Sequence, residues 1–327
     1  PPPIHHPPTP PTNTNAESSA ASDVYKRQQL GSTRSPGLRA QGVTEVVREP
    51  AEFRRACEDA RTDQRRVGLV PTMGALHEGH FSLIDEAKAR ADFIALTIFV
   101  NPLQFAPGED LDRYPRTFES DLEGCRVRGV DLVFAPAPDA MYSSQFQTEV
   151  ALKEITQPLE GQFRPSHFNG VTTVVAKLFN LTGPCTATFG RKDYQQWKIL
   201  SRMALDLDMP VEVVGCPIIR EPDGLALSSR NRYLGAAERK RALAIVTGLR
   251  AAHDAWFQGE RDRGKLEELA AEPVRRQFDR VDYVAAVDPE TLREPKSSPE
   301  ALLIAAAAHL GDTRLIDNVV LGRDPRP

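Results

Sequence analysis

Hydrophobic positions along the chain from Val43 onward follow two alternating patterns. In one set of segments an apolar residue recurs every three or four positions, which is typical of an amphipathic helix. The predicted helices are PAEFRRACEDAR, FSLIDEAKARA, FESDLEGCRVRGV, GVTTVVAKLFNLTG and DYQQWKILSRMALDLDM. Between them lie short runs of continuous apolar residues, which predict buried strands. The predicted strands are VGLV, FIALTIFV, DLVFAP, TATFG and VEVVGCPII.

This alternation predicts the α/β fold class. Strands separated by helices of this length favour a Rossmann-like parallel sheet with helices on both faces. We expect Gly183 to end the fourth of these helices and Pro210 to end the fifth. Ligands of such sheets bind beyond the carboxyl ends of the strands. The residues that follow each predicted strand are therefore the first candidates for a functional site.

The pattern changes at Glu221, and a smaller α+β domain is expected from there. An Asp-Gly pair within EPDGLALSSRNRYL predicts a hairpin, and one long helix is expected around Ala236–Gln258. A charged segment, the strand-like VDYVAAVD, the apolar LLIAAAAHL and a last strand RLIDNVVL follow. The predicted organisation is a Rossmann-like domain over residues 43–220 and a small α+β lid domain over residues 221–327.

The first 42 residues differ in composition from the rest of the chain. The stretch PPPIHHPPTPPTNTNAESSAASD is rich in Pro, Ser, Thr and Asn and has no apolar period. We expect residues 1–42 to be disordered, and the sharp change at residues 41–43 favours a tail foreign to the folded unit. His5 and His6 lie in this tail, where a histidine pair is usually solvated rather than bound to metal.

Composition and charge exclude several classes of protein. The formal net charge of −4 at pH 7 provides no basic field, so no nucleic-acid partner is expected. No apolar stretch approaches the roughly 20 residues of a membrane span, and no secretory signal is recognisable, so we expect a cytoplasmic protein without membrane contact. The four cysteines form no CxxC pair, which favours reduced thiols over a zinc ribbon or a thioredoxin site.

The stretch VPTMGALHEGH follows the first predicted strand and carries two histidines three positions apart. If the next helix begins at or near His77, then His77 and His80 share one face of its first turn. The free amides of that turn favour an anion, and two imidazoles add donors for phosphate oxygens. Gly79 leaves room for a flat ring or a phosphate. A zinc site and two packed or solvated histidines remain as alternatives.

Three further stretches carry polar residues at suitable positions. Asn101 and Gln104 follow FIALTIFV, where neutral amides could hold hydroxyl or carboxylate oxygens; an ordinary Asn-Pro turn is the alternative. Lys192 follows TATFG beside another helix N-terminus, where it is either a phosphate ligand or an exposed lysine, and Asp193 suits the N-cap. Leu227–Asn231 offers hydroxyls and a guanidinium for a triphosphate, or forms a plain polar loop.

HEGH resembles the HIGH motif of nucleotidylyl-transfer enzymes. PTMGALHEGHFSLI is similar, more narrowly, to the pantothenate synthetase family, whose members join pantoate to β-alanine in pantothenate biosynthesis. The resemblance continues in family order and covers nearly everything from Val43 to Gly322. The further matching stretches are IFVNPLQF, DLDRYPRT, EGQFRPSHFNGV, FGRKDYQQ, ALSSRNRYL and RLIDN.

The resemblance implies an AMP-forming ligase and assigns a role to each matching residue. The implied catalytic residues are His77, His80, Lys192, Ser228, Ser229 and Arg230. The implied ATP-binding residues are Pro71, Thr72, Met73, Gly74, His77, Gly79, His80, Gly190, Lys192, Asp193, Leu227, Ser228, Ser229 and Arg230. The implied pantoate-binding residues are Met73, Asn101, Gln104, His167 and Gln196. The implied magnesium ligand is Asp121, in the helix after YPRT.

The resemblance also implies the chemistry and the partners. The pantoate carboxylate attacks the α-phosphorus of ATP, the co-substrate, and pyrophosphate departs; the β-alanine amine then attacks pantoyl-adenylate and releases AMP. Mg²⁺ is the implied cofactor. The implied assembly is a homodimer in which the segment EVALKEI pairs across the interface.

Three alternatives to this function remain. They are a HIGH-type nucleotidylyltransferase acting on another small acid or a phosphate acceptor, a fragment of an aminoacyl-tRNA synthetase, and a non-catalytic nucleotide-binding protein.

Two positions depart from the family pattern. Arg191 stands where the family usually carries an acidic or amide residue, and Ser166 stands where glycine is more usual. We expect Arg191 to add charge near the nucleotide. We expect Ser166 to change the backbone conformation before His167.

Overall fold

A six-stranded parallel sheet forms the first of two sheets in the protein. The computed structural model describes residues 44–295 and 300–327, so the predicted tail over residues 1–42 lies outside the described residues. The six strands are β1 (Glu45–Val47), β2 (Val67–Thr72), β3 (Phe93–Ile98), β4 (Leu132–Phe134), β5 (Cys185–Gly190) and β6 (Val211–Cys216). They are arranged in the order β1-β4-β3-β2-β5-β6. The predicted α/β class is confirmed.

Helices cover both faces of this sheet. They are α1 (Pro50–Thr62), α2 (Glu78–Arg90), α3 (Phe118–Val127), the short α4 (Pro138–Met141) and α5 (Glu160–Phe163), α6 (His167–Thr182) and α7 (Tyr194–Asp206). On one face, α1, α6 and α7 bury a core that includes Phe53, Phe134 and Phe179. On the other face, α2 and α3 bury a core around Ile84 and Leu122. Both faces of the sheet are apolar because helices cover the interior strands on each face.

The strand order creates one position where the chain changes direction across the sheet. From β2 the chain continues to β3 on one side, whereas β5 pairs with β2 on the other side through Gly68↔Thr186 and Leu69↔Ala187. The loops that leave β2 and β5 therefore diverge and open a crevice at the carboxyl ends of these strands. Ligands of open α/β sheets bind at such a switch point.

A second, three-stranded antiparallel sheet follows. It consists of β7 (Arg280–Val287), β8 (Leu302–Leu310) and β9 (Thr313–Leu321). The helices that precede it are α8 (Ala236–Ala242), α9 (Ala244–Phe257) and α10 (Arg263–Gln277). One face of the sheet shares a core with these helices, and the other packs against Leu159 and Tyr194. None of the helices within the described ranges is long and apolar enough to cross a membrane.

Several expected elements differ from the observed ones. The long helix expected around Ala236–Gln258 is interrupted at Leu243 and forms two helices. The charged segment forms the helix α10, which buries a narrow stripe that includes Leu266, Ala270 and Val274. The many charged residues and Pro273 make this apolar stripe hard to recognise in the sequence. The sequence pattern does not predict the short strand β1.

The turns also differ in detail. The predicted hairpin is a tight turn closed by a single bridge between Arg220 and Ala226, since the chain enters a 3₁₀ helix over Ser229–Tyr233 soon afterwards. Helix α7 ends at Asp206, ahead of Pro210, and Asp208 then adopts a left-handed φ of 47°. Gly183 caps α6 as expected. The described residues form one compact unit, and the division at residue 220 stays a prediction.

Candidate active site

One cavity at the switch point gathers almost all of the predicted site residues. Its volume is about 240 Å³, and it is lined from the ends of β2, β3 and β5, from α6 and from the loop over residues 227–230. Every predicted ATP-binding, pantoate-binding or catalytic residue except Gly74 lines it. A larger cleft of about 1170 Å³ adjoins it and shares residues such as His167, Lys192 and Arg230.

The histidine pair lies at the amino end of α2. His77 is the N-cap residue, and its Nδ1 accepts a hydrogen bond from the backbone N–H of Gly79 at 3.1 Å. The proton of neutral His77 is therefore on Nε2, which is free to donate. His80 lies one turn further, with its ring 4.2 Å from that of His77 and its Nδ1 buried without a hydrogen-bond partner. The ring of His80 also lines the cavity.

Gly79 is required by the histidine cap. A Cβ atom at this position would lie 2.9 Å from Cε1 of His77, which is closer than side-chain atoms approach. The flat ring beside the backbone is therefore the imidazole of His77 itself. This refines the expectation that Gly79 leaves room for a ligand.

Both imidazoles are neutral. Burial, followed by the nearby Lys192 and Arg232, lowers the pKa of His77 to about 4. Burial, followed by His77 and Lys192, lowers the pKa of His80 to about 3. The two side chains can thus donate hydrogen bonds to phosphate oxygens, but they bring no positive charge to the free protein. Positive charge at the cavity comes from the lysine and arginine side chains that line it, Lys192 and Arg230 among them.

These pKa values predict how stability depends on pH. Burial, followed by Arg164, also lowers the pKa of His167 to about 4, whereas unfolded histidine titrates near 6.5. Between about pH 6.5 and 4 the unfolded chain binds protons that the folded protein does not, so stability falls as the pH is lowered through this window. We expect the free energy of unfolding in urea to be lower at pH 5 than at pH 7.5.

A variant identifies the source of this effect. His80→Gln should reduce the slope of the unfolding free energy against pH by about one proton between pH 5 and 6.5. An unchanged slope in this variant, or a wild-type stability that rises as the pH falls, would contradict the assignment of a neutral His80.

Lys192 lies in the 3₁₀ turn Arg191–Asp193, between β5 and α7. Its side chain lines both the cavity and the cleft, and its Nζ is 3.9 Å from Oδ2 of Asp193. Asp193 occupies the N-cap position of α7, but its side chain makes no capping hydrogen bond, contrary to expectation. Arg191 points away to Asp324, with an Nη1 to Oδ1 distance of 2.8 Å, and lines neither cavity. Its charge is therefore neutralised outside the site.

The loop after the tight turn approaches the cavity with Ser228, Ser229 and Arg230. The hydroxyl of Ser228 accepts a hydrogen bond from the backbone N–H of Arg230 at 3.3 Å. The guanidinium of Arg230 donates from Nε and Nη2 to both oxygens of Asp110, at 2.9 and 2.8 Å. The Ser229 hydroxyl lies 3.5 Å from that of Tyr114. This ion pair and contact join the loop to the DLDRYPRT segment.

Asp110 and Tyr114 were not predicted as site residues. The sequence signal was the matching segment DLDRYPRT, which begins at Asp110 and had no assigned function. The bidentate pair leaves Nη1 of Arg230 uncommitted to Asp110 and fixes the plane of the guanidinium. Asp110 thereby positions the charge that the resemblance assigns to the triphosphate.

The amide residues occupy the other part of the cavity. Asn101 is buried, and its Nδ2 donates to Oε1 of Gln104 at 3.1 Å and to the carbonyl of Gly170 at 3.1 Å. Its Oδ1 accepts from the hydroxyl of Tyr142 at 2.8 Å. Asn101 is therefore occupied by protein groups and serves to orient Gln104, whose NH₂ group has no hydrogen-bond partner among the described residues. The side-chain amide of Gln196 also lines the cavity and has no hydrogen-bond partner within residues 44–295 and 300–327.

His167 begins α6 at the junction of the cavity and the cleft. Its Nδ1 lies 2.9 Å from the backbone carbonyl of Gln104, so Nδ1 carries the proton and Nε2 carries a lone pair. Arg164, which also lines both spaces, forms a bidentate pair with Glu109 at 2.7 and 2.6 Å. Ser166 has an ordinary right-handed φ of −94° and ψ of −9°, so the expected change in backbone conformation is not required.

Asp121 has a different position from the one its predicted role needs. It is 3% exposed and does not line the cavity. Its Oδ2 accepts from the backbone N–H of Ala75 at 2.9 Å, and its Oδ1 accepts from that of Leu76 at 2.8 Å. The carboxylate therefore stabilises the loop after β2 through hydrogen bonds to its backbone. The residues present do not fit the predicted magnesium site, and the assignment of Asp121 is corrected to a structural one.

Gly74 belongs to the same loop. Its φ of +84° favours glycine, and a Cβ atom there would lie 3.0 Å from Oδ2 of Asp121. Gly74 thus shapes the loop rather than lining the cavity. The zinc alternative for His77 and His80 lacks a third ligand, because no cluster of three or more His, Cys, Asp or Glu within the described part of the chain is arranged to hold a metal.

The fold and the site together define a nucleotide-binding α/β enzyme of the HIGH-motif class. Its features are a parallel sheet, a histidine pair at a helix N-terminus after one strand of the switch point, and a lysine after the other. The family model for pantoate-beta-alanine ligase matches residues 45–320. The chain belongs to the pantoate–β-alanine ligase family, and it is a ligase.

Relatives of known name agree with this assignment. Pantothenate synthetase 1 of Bradyrhizobium diazoefficiens is 50% identical over 283 residues, which cover 86% of this chain and 99% of the relative. Pantothenate synthetase of Thermotoga neapolitana is 47% identical over 279 residues, which cover 85% and 99%.

Solved structures share the fold. Pantothenate synthetase from Thermus thermophilus matches with a TM-score of 0.79 and 44% identity, over 84% of this chain and 98% of that one. Pantoate-beta-alanine ligase from Francisella tularensis, solved in complex with beta-gamma ATP and beta-alanine, matches with a TM-score of 0.70 and 29% identity, over 87% and 100%.

Proposed function

We propose that the protein condenses pantoate with β-alanine in two steps, with ATP as co-substrate and pantoyl-adenylate as the intermediate. The observation that carries the proposal is the composition of the switch-point cavity. His77, His80 and Lys192 offer hydrogen-bond donors suited to phosphate oxygens. The side-chain amides of Gln104 and Gln196 line the same cavity. A nucleotide and a small hydroxy acid can thus meet in one space. The Francisella tularensis relative, solved with beta-gamma ATP and beta-alanine, supports the binding of a nucleotide and of the amine substrate.

In the first step a carboxylate oxygen of pantoate forms a bond to the α-phosphorus of ATP, and the bond to pyrophosphate breaks. Negative charge moves onto the phosphate oxygens, and fixed donors stabilise it there. Nε2 of His77 and the ring of His80 donate as neutral groups, whereas Lys192 and Arg230 supply positive charge. Ser228 and Ser229 add hydroxyls from the start of the 3₁₀ helix, where both residues line the cavity.

In the second step the β-alanine amine forms a bond to the acyl carbon, the bond to AMP breaks, and the amine loses a proton. The larger cleft, which adjoins the cavity at Arg164 and His167, is the route by which we expect β-alanine to enter. No side chain needs to act as a nucleophile. The protein contributes orientation of the reacting groups and stabilisation of charge.

Magnesium belongs to this proposal only as a companion of ATP. Mg²⁺ can keep most of its waters and bind chiefly to phosphate oxygens, where it neutralises charge. Asp121 does not fit the role of its ligand, because its oxygens accept hydrogen bonds from Ala75 and Leu76. We assign no protein ligand to the ion.

We also infer a cytoplasmic homodimer from the family resemblance. Val150, within the segment EVALKEI that is expected at the interface, already bonds to Thr172 and Thr173 of α6. Pairing through Val150 is therefore disfavoured, and other residues would form the contact. Sedimentation velocity distinguishes a dimer from a monomer of 36.1 kDa.

The reaction is tested by following AMP and pyrophosphate. We expect pantoate alone to support exchange of labelled pyrophosphate into ATP, and AMP release to require both pantoate and β-alanine. Exchange that does not depend on pantoate, or transfer of AMP to a phosphate acceptor, would favour a nucleotidylyltransferase. ATP binding without AMP release would indicate a non-catalytic protein.

A further inference from the structure

The motif RLIDN, in β9, contacts the turn that carries Lys192. Asn318, the last residue of the motif, is 4% exposed. Its Nδ2 donates to the backbone carbonyls of Arg191 at 3.0 Å and of Lys192 at 2.9 Å. A single amide group of the second sheet therefore holds two consecutive carbonyls of the lysine turn.

Asn318 is itself held rigidly. Its backbone pairs with β8 opposite Ala305, and its N–H also lies 2.8 Å from Oδ1 of Asp317. Asp317 in turn accepts two hydrogen bonds from the guanidinium of Arg220, at 2.6 and 3.0 Å. The amide donor is thus mounted on a strand whose position is set by the second sheet. It cannot follow the lysine turn if the turn moves.

The lysine turn needs such a partner. Residues Arg191–Asp193 form a 3₁₀ helix of three residues, in which the carbonyls have few internal hydrogen-bond partners. The Asn318 amide donates to two of these carbonyls, and Asn318 lines the larger cleft but not the cavity that contains His77 and His80. The backbone from which Lys192 extends is therefore defined by a residue more than a hundred positions away.

We propose that Asn318 is a positioning residue for Lys192, which it aims at the nucleotide by holding the lysine turn. The inference rests on the proposed role of Lys192 at the triphosphate. A displacement of about 1 Å in a group that stabilises a transition state can lower the rate about a hundredfold. Loss of the two hydrogen bonds should therefore slow adenylation, although Asn318 does not line the cavity in which we place pantoate and ATP.

The first test compares two variants of the full-length protein. Asn318→Asp is nearly isosteric but replaces the NH₂ donor with an oxygen, which cannot donate to the two carbonyls. We expect this variant to lower kcat of pantoate-dependent ATP–pyrophosphate exchange about tenfold or more. The KM for pantoate should change by less than about twofold, since the amides of the cavity are untouched. The matched control is Arg191→Gln, which alters the same turn but keeps both carbonyls. We expect its activity to remain within about twofold of wild type.

The second test is a double-mutant cycle with Lys192→Ala. If Asn318 acts through Lys192, Asn318→Asp lowers the residual exchange rate of Lys192→Ala by less than about twofold, measured with enzyme in excess. The same tenfold loss in both backgrounds, or full activity of Asn318→Asp alone, overturns the proposal. If circular dichroism shows that Asn318→Asp does not fold, Asn318→Ser replaces it with the same criteria.

The cycle also separates this proposal from the proposed function. A Lys192→Ala enzyme with wild-type exchange activity overturns both, because the lysine then has no role to support. A Lys192→Ala enzyme that is impaired, combined with an independent effect of Asn318, overturns the positioning role alone.

Discussion

Replacing Lys192 by alanine is expected to lower the rate of pantoate-dependent ATP–pyrophosphate exchange by about a hundredfold or more. Removal of one fixed donor to a developing anion typically has an effect of this size. Lys192 lines the cavity between the histidine pair and the loop of Arg230, and its ammonium approaches only one carboxylate among the described residues, that of Asp193, at 3.9 Å. Its charge is thus available to the phosphates.

The matched control for this change is Lys198→Ala. Lys198 lies on α7, shortly after Lys192 in sequence, but it pairs with Glu290 and lines neither the cavity nor the cleft. We expect its exchange rate to stay within about twofold of wild type. Near-normal exchange by Lys192→Ala, or an equal loss in Lys198→Ala, would contradict a role for Lys192 at the triphosphate.

The second large effect is expected for His80→Ala, which should also lose about a hundredfold in exchange rate. His80 lies in the first turn of α2, and its ring lines the cavity in which we place the nucleotide. Because its pKa is lowered to about 3, the ring is neutral at every pH from about 5 upward. We therefore expect no change in kcat near pH 6.5 that depends on His80.

A buried histidine outside the site provides the control. His253, in α9, is 6% exposed and has no hydrogen-bond partner for either ring nitrogen within the described ranges, but it lines neither the cavity nor the cleft. His253→Ala should reduce the thermal stability and leave kcat within about twofold. Full activity of His80→Ala would refute the assignment. Zinc that stays bound to the wild-type protein after dialysis against a chelator, and is lost in His80→Ala, would favour a metal site instead.

Local patterns of residues along the chain were enough to predict the fold class and most of the residues that line the candidate site. Helical and strand periods are local, and they predicted the interior strands and the helices between them with small errors at the ends. The positions of His77 and His80, of Lys192 and of Gln104 after their strands were equally readable. In a parallel sheet the carboxyl ends of the strands share one edge, so that residues distant in sequence are brought together there.

The hydrogen-bond partner of each polar group, in contrast, depends on the packing of the folded chain. Asp121 and Asn101 both stand at plausible ligand positions, yet one holds the amides of Ala75 and Leu76 and the other orients Gln104. Arg191 is neutralised by Asp324, and Asn318 holds the lysine turn. A hydrogen bond is specific over a few tenths of an ångström, and its partner can lie over a hundred residues away. Residue type and spacing do not encode that choice, because it depends on how the packed elements bring the two groups together.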